Sequence, residues 1–131
     1  MQHEAPRRRA IAGPGIPSHA NPIPPAVRMG QFVFTSVVSG KDPASGTYPP
    51  AIEDQVRNAF AAVRRIMERA GGSTGDIARM AIYLHSREDR AYVNPAWIAM
   101  FPDANDRPVR HTVATDLDPQ VKIHIEVTAV I

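Results

Sequence analysis

The chain has 131 residues, a formal net charge of +2 and no cysteine. This length is typical of a single domain with a buried core. The absence of cysteine excludes disulfides, thiolate metal sites and a thiol nucleophile, and it fits a cytoplasmic protein. The charge is too mild to indicate nucleic acid by itself, and no segment reaches the roughly 20 apolar residues that span a bilayer.

The N-terminal segment is rich in proline, with six of the 13 prolines among the first 25 residues. Proline disfavours helix and favours extended backbone. Residues 1–20 are therefore predicted to be a proline-rich tail or surface strap, and residues 21–131 a single domain. The Arg7-Arg8-Arg9 run has no apolar stretch behind it, so it is interpreted as part of a solvated tail and not as a secretory signal.

The first half of the domain is predicted to contain a hairpin and a helix. The hairpin covers Arg28–Val38, with Gly30-Gln31 as its turn and Phe32–Val38 as its second strand. Residues 41–46 form a loop with strong turn chemistry. Residues 51–70 form a helix ended by Gly71, because apolar residues recur at spacings of three and four. The apolar positions are Ile52, Val56, Phe60, Val63 and Met67.

The second half is predicted to contain three strands and a second helix. The strands cover 77–85, 109–115 and 121–130, and the helix covers residues 88–101. Pro95 either kinks this helix or is its first residue behind an Asn94 cap. The order β-β-α-β-α-β-β predicts an α+β sheet with both helices packed on one face.

Two polar strand faces are the most informative part of the chain. The segment 121–127 alternates strictly, which puts its apolar residues on one face and Lys122, His124 and Glu126 on the other. Arg110 lies on the preceding strand with Thr112 on the same face, whereas His111 faces the opposite side. An arginine on a rigid strand presents a fixed fork for a carboxylate, so the pattern indicates a small anionic ligand.

The chain resembles the reactive intermediate/imine deaminase family (RidA, also called YjgF) over residues 22–131. The residues that carry the resemblance occur in the family's order: Ala26-Val27-Arg28-Met29-Gly30, Val33-Phe34-Thr35-Ser36, Asp42-Pro43-Ala44-Ser45-Gly46, Gln55 to Ala70 with Gly71, Val93-Asn94, Arg107-Pro108-Val109-Arg110 and Val121-Lys122-Ile123-His124-Ile125-Glu126.

The resemblance implies a chorismate-mutase-like fold and a homotrimer with clefts between its subunits. It also implies hydrolysis of reactive enamines and imines, such as 2-aminoacrylate, without a metal or organic cofactor. By the same resemblance, Arg110 binds the substrate carboxylate and Ser36 lies beside it. The backbone at Thr112 helps to hold the water, and Asn94 lines the pocket.

Three positions depart from the family pattern. Ile23 stands where the family has a pocket tyrosine, and Val37 stands where it has a glycine after Thr-Ser. His124 replaces the glutamate that orients and activates the water. Together these changes favour a substrate other than 2-aminoacrylate.

Each candidate residue has a structural alternative to its functional role. His124 is either the proton shuttle or a strand histidine on a wet face, since a pKa near 6.5 suits acid–base work at neutral pH. Glu126 either orients the His124 imidazole or forms a salt bridge. Arg110 either binds a carboxylate or pairs with Glu126 or Asp116. His19, in the strap, is a further candidate for the cleft, close to the lost tyrosine.

The leading functional hypothesis is a homotrimeric deaminase that releases ammonia from a small unsaturated amino acid or imino acid. An aminomuconate-type ring-cleavage product is one candidate substrate. The alternatives are a non-catalytic metabolite-binding trimer and an endoribonuclease or translation inhibitor; the mild charge counts against the latter. The five histidines show no zinc-ligand spacing, and no membrane partner is expected.

Overall fold

The computed structural model describes residues 6–131, which form one mixed sheet and two helices. The strands are β1 (Arg9–Ile11), β2 (Ala26–Met29), β3 (Phe32–Thr35), β4 (Val38–Ser39), β5 (Ile77–Leu84), β6 (Val109–Ala114) and β7 (His124–Val130). The helices are α1 (Ile52–Arg69) and α2 (Arg90–Met100), and two short 3₁₀ turns cover Thr74–Asp76 and Arg87–Asp89. None of the described helices is long and apolar enough to cross a membrane.

The sheet has one face covered by helices and one open face. Its strands follow the order β1-β2-β3-β7-β5-β6, with β4 also paired to β7. All pairs are antiparallel except β5 with β6, which run parallel because α2 connects them as a crossover. Met80, Ile82 and Ile125 are fully buried on the covered face and share one core with α1 and α2. The predicted α+β architecture is confirmed.

The first strand lies inside the segment that was predicted to be a structure-poor tail. β1 pairs with β2 through Arg9 opposite Arg28. The following segment, residues 12–25, is called the strap. The Arg69 guanidinium of α1 donates to two of its carbonyl oxygens, those of Ala12 at 2.8 Å and Pro14 at 2.5 Å. Prolines rule out helix but leave their carbonyls free to accept such bonds. The first five residues of the predicted tail lie outside the described residues.

The strand predicted at Phe32–Val38 is wrong in one respect, because a bulge divides it into β3 and β4. Phe34 lies opposite Thr128, and Val38 lies opposite Ile125. Between these two pairs the chain advances four residues from Phe34 to Val38 but three from Thr128 to Ile125. The first segment therefore contains one extra residue, which is a bulge. Ser36 turns away from the ladder, and its N–H donates to the Pro25 carbonyl at 2.9 Å.

The last strand begins at His124, three residues later than predicted. The cause is the buried side chain of Gln55 in α1. Its Oε1 accepts the backbone N–H of Lys122 at 2.8 Å, and its Nε2 donates to the carbonyls of Pro49 at 2.7 Å and Gln120 at 2.8 Å. A helix side chain therefore takes the place of a neighbouring strand. Residues 121 and 123 are still buried, as their alternation predicted.

The two helices lie close to their predicted positions. α1 spans residues 52–69 and is confirmed as an amphipathic helix with eight buried positions. α2 spans residues 90–100 and contains Pro95 in its interior. The interpretation of Asn94 as the cap is therefore wrong. The side chain of Ser86, before the 3₁₀ turn, accepts the backbone N–H of Glu88 and begins this helical segment instead.

Candidate active site

A cavity of about 270 Å³ lies between the strap and the region where β4 meets β7. It brings together three residues that the sequence indicated: Ser36, Val37 and His124. The bulge between β3 and β4 accounts for the first two, because bulged residues leave the regular alternation of a strand. This group, together with His19, is called the cleft half of the site.

His124 is the first residue of β7 and is half-buried on the open face. It lies opposite Ser39 in β4 and Tyr83 in β5. Burial lowers the pKa of His124, and repulsion from His19 in its charged form lowers it further, whereas the charge of Glu126 acts in the opposite direction. The ring is therefore neutral at pH 7, the form that accepts a proton from water.

Two further cleft residues were not identified from the sequence. Lys41 and Tyr48 flank the loop after β4 and both line the cavity, with the Lys41 ammonium 5.4 Å from the centre of the Tyr48 ring. Neither lies in a periodic segment, so no local pattern marked them. His19, which the sequence offered only as a further candidate, also lines this cavity.

Glu126 lies on the open face but does not line the cavity. It is next to Tyr83 and raises the pKa of that phenol, mainly by accepting a hydrogen bond from it. Burial of Tyr83 and the negative charge of Glu126 raise this pKa further. Its electrostatic effect still reaches His124. The structure thus places Glu126 beside Tyr83, two residues after His124 on the same strand face, and it acts on His124 through charge.

Arg110 lies on the covered face of β6, beside α2. It is paired in register with the buried Met80, and its Nε donates to Thr112 Oγ1 at 3.0 Å. Its guanidinium lies 5.2 Å from the ring centre of Trp97 in α2. This shared face was predicted from the alternation of β6. Arg110, Thr112 and Trp97 are called the anchor half of the site.

Arg110 has no acidic partner among residues 6–131, since the one ion pair found there joins Arg57 and Asp54. The predicted alternative of a structural ion pair with Glu126 or Asp116 is therefore wrong. Burial lowers the pKa of Arg110, and the charge of Arg90 lowers it further. A half-buried cation beside a like charge is an arrangement that a bound anion stabilises.

The two halves of the site lie on opposite faces of the sheet within one chain. Arg110 shares a face with Met80, whereas His124 shares the other face with Tyr83. Asn94 is exposed and lies three residues before Trp97 on α2, and it does not line the cavity. Ile23 is exposed and does not line the cavity.

The described part of the chain contains no group of three or more histidine, aspartate or glutamate side chains arranged to hold a metal ion. His19 and His124 line one cavity, and Asp118 also lines it. The Asp118 carboxylate accepts the backbone N–H of Gln120 at 3.2 Å.

The α+β sheet, the small cavity with His19, Lys41 and His124 on its wall, and the unpaired arginine define a class of small-molecule-binding domain. The chain belongs to the family described as Endoribonuclease L-PSP, the RidA/YjgF family, whose model matches residues 16–131. The family predicted from the sequence is thereby confirmed.

Curated relatives cover almost the whole chain. The 2-iminobutanoate/2-iminopropanoate deaminase of Salmonella typhimurium is 32% identical over 124 residues, which cover 93% of this chain and 97% of that protein. The putative reactive intermediate deaminase TdcF of Escherichia coli is 32% identical, covering 94% of this chain and 97% of its own.

Solved structures share the fold. RidA from Psychrobacter has a TM-score of 0.87 at 26% identity, covering 95% of this chain and 100% of its own. The YjgF gene product of E. coli has a TM-score of 0.82 at 32% identity, with 93% and 98% covered. E. coli TdcF, solved with bound serine, has a TM-score of 0.83 at 31% identity, with 93% and 98% covered. The predicted RidA-like fold is confirmed.

Proposed function

We propose that this RidA-family imine deaminase hydrolyses a small unsaturated amino acid or imino acid to a keto acid and ammonia. In this proposal Arg110 holds the substrate carboxylate and His124 activates the water. The observation that carries it is the half-buried Arg110, which has no acidic partner in the described chain. The names of the curated relatives support the reaction class.

A complete site takes its two halves from different copies of the chain. Arg110 and His124 lie on opposite faces of one sheet, so one chain alone does not bring them together. The open face also exposes large apolar side chains, which in a stable assembly another copy covers. These are Phe32, Phe34, Val109 and Val130, each between 42% and 66% exposed. A homotrimer with clefts between its subunits meets both requirements.

The reaction needs a base for water and an acid for nitrogen. Neutral His124 accepts a proton as the water oxygen bonds to the imine carbon, and the C=N π electrons move to the nitrogen. The protonated imidazole then returns its proton to that nitrogen. The tetrahedral intermediate collapses to the keto acid as the C–N bond breaks and ammonia leaves with the hydroxyl proton.

The remaining cleft residues shape the binding of the substrate. Ser36 and the backbone at Thr112 support the carboxylate and the water, and Asn94 lines the anchor half. Val37 adds bulk to the cavity wall, and Ile23, outside the cavity, stands where the family pattern implies a tyrosine. A substrate larger than 2-aminoacrylate, such as an aminomuconate-type acid, fits this altered pocket.

Ammonia release from 2-aminoacrylate and 2-iminobutanoate, both generated in situ, tests the proposal. Wild type is compared with Arg110→Ala, with the exposed Arg87→Ala as matched control, and with buffer. Loss of a charged hydrogen-bond partner costs roughly 1.5–3 kcal/mol, so we expect kcat/KM to fall about ten- to a hundredfold in Arg110→Ala alone.

Unchanged kcat/KM in Arg110→Ala would contradict the role of Arg110 in binding the substrate carboxylate. If wild type accelerates neither small imine, the test continues with larger unsaturated amino acids. Saturable binding without ammonia release from any of them marks a non-catalytic binding protein and overturns the proposed reaction.

A further inference from the structure

We infer that the substrate carries a second acidic group, which Lys41 binds inside the cleft with hydrogen bonds from His19 and Tyr48. This inference rests on the proposed function and narrows its substrate to imino dicarboxylates. Arg110 takes the carboxylate beside the reacting carbon, and Lys41 takes the carboxylate at the far end. The three side chains of this second subsite line the same cavity as His124.

Lys41 is a half-buried cation that is held in place but not neutralised. Its ammonium lies over the Tyr48 ring, 5.4 Å from the centre, within the range of cation–π attraction. Its backbone N–H donates to Ser39 Oγ at 3.3 Å, which fixes the start of the loop. No carboxylate lies within ion-pair distance of it in residues 6–131. An anion in the cavity therefore finds a positioned and unpaired charge.

His19 is fixed so that it donates a hydrogen bond from Nε2. Its Nδ1 accepts the backbone N–H of Asn21 at 3.2 Å. A nitrogen that accepts carries no proton, so the proton of the neutral ring is on Nε2. Ile16 is buried before it, and Arg69 binds the strap through the Ala12 carbonyl. The strap thus holds this donor at the cavity wall.

The acidic groups near the cleft do not form an ion pair with Lys41, so its ammonium can bind a ligand. Asp118 lines the cavity, but its carboxylate accepts the backbone N–H of Gln120 and the residue is exposed. Glu126 does not line the cavity and lies beside Tyr83. Among the lining residues Lys41 is the one lysine or arginine and Asp118 the one carboxylate, and the two form no ion pair.

The size of the cavity fits a substrate longer than the smallest imino acids. At roughly 30 Å³ for each water-sized group, a volume of about 270 Å³ holds about nine such groups. A three-carbon imino acid has fewer non-hydrogen atoms than this. A five-carbon imino dicarboxylate has ten non-hydrogen atoms, so the part of it beyond the carboxylate that Arg110 holds fits in this space, with the second carboxylate beyond the reacting carbon.

A matched pair of substrates tests the inference. 2-Iminoglutarate and 2-iminopentanoate, generated in situ from glutamate and norvaline by amino-acid oxidases, have the same chain length and differ in the terminal carboxylate. Ammonia release is measured with wild type, Lys41→Met and His19→Phe. Asn21→Ala serves as control, because its backbone N–H still donates to His19.

We expect wild type to prefer 2-iminoglutarate by at least about tenfold in kcat/KM, the effect of one charged hydrogen bond. Lys41→Met should remove that preference, mainly by raising KM for 2-iminoglutarate, so that the two substrates become equal. His19→Phe should reduce the preference in part, and Asn21→Ala should retain it.

Equal kcat/KM for the two substrates in wild type, or an equal loss for both in Lys41→Met, overturns the second subsite. Either result still leaves the proposed function standing if wild type releases ammonia from 2-iminopentanoate. Failure of wild type on both substrates counts against the reaction itself.

Discussion

His124 stands where the family resemblance implies a glutamate, and its surroundings keep its ring neutral. Burial and the charge of His19 lower its pKa below the ordinary 6.5. In the proposed function the neutral ring is the base, so kcat/KM should be constant around pH 7. It should fall below about pH 6.5, as the pH drops through the lowered pKa of His124. His124→Gln should remove this acid limb and reduce kcat by roughly 10²–10⁴-fold, with little change in KM.

The measurement is kcat and KM between pH 5 and 8 for wild type and His124→Gln. His85→Gln is the matched control, because a glutamine can still donate to the Val121 carbonyl that His85 contacts at 2.7 Å. An acid limb that survives in His124→Gln would assign the ionisation to another group.

Several site residues could be predicted from the sequence because strand alternation fixes the face of each side chain. Arg110 and Thr112 share a face as expected, and His111 faces the other way. Lys41 and Tyr48 could not be predicted. Their positions depend on how a loop folds over β7, and neither residue type marks a ligand site by itself.

At the scale of elements, one arginine attaches the start of the strap to α1. Arg69 in the last turn of α1 donates to the carbonyls of Ala12 and Pro14. Arg69→Ala should release this contact and raise hydrogen exchange at residues 10–16, with a loss of about 1–3 kcal/mol in local opening free energy.

Hydrogen exchange monitored by mass spectrometry measures this effect, with the exposed Arg64→Ala as control on the same helix. The core strand β5 should keep its protection in both variants, because local opening does not require global unfolding. Equal protection of the strap in Arg69→Ala and wild type would show that β1 pairing alone holds it.

The helices and long strands could be predicted because their apolar periodicity extends over many residues. β1 and β4 could not, since they contain three and two residues and depend on partners distant in sequence. The position of Pro95 was left open between the helix interior and the helix start for a related reason. The packing of Val93, Trp97 and Met100 on the core outweighs the preference of proline for a helix start.

On the scale of the whole molecule, the separation of Arg110 and His124 can be tested by mixing subunits. Arg110→Ala and His124→Ala subunits should each be inactive alone. If each cleft joins Arg110 of one copy to His124 of another, random mixing of the two variants leaves both residues intact in about one cleft in four. Co-expression and purification of mixed trimers should therefore restore about a quarter of the wild-type kcat.

The control places both substitutions in one subunit and mixes it with wild type at the same ratio. Size-exclusion chromatography with light scattering should give three times the chain mass of 14.3 kDa for each sample. No recovery in the mixed trimers would mean that each chain supplies both residues to its own cleft.

The placement of Arg110 and His124 on opposite faces of one sheet could not be predicted from alternation. Alternation shows which residues share a face, but it does not show which face the helices cover. The parallel register of β6 on β5, which sets Arg110 beside Met80, decides this. That register depends on the path of α2 and the loop after it, both of which are tertiary features.

The buried amide of Gln55 has a consequence for how the enzyme fails. It joins the first turn of α1 to residues 120 and 122, immediately before His124. His124 therefore begins β7 directly after the segment that the Gln55 side chain holds in place. Heat that loosens α1 displaces this histidine in the same event, so thermal inactivation and the melting of the helix should coincide.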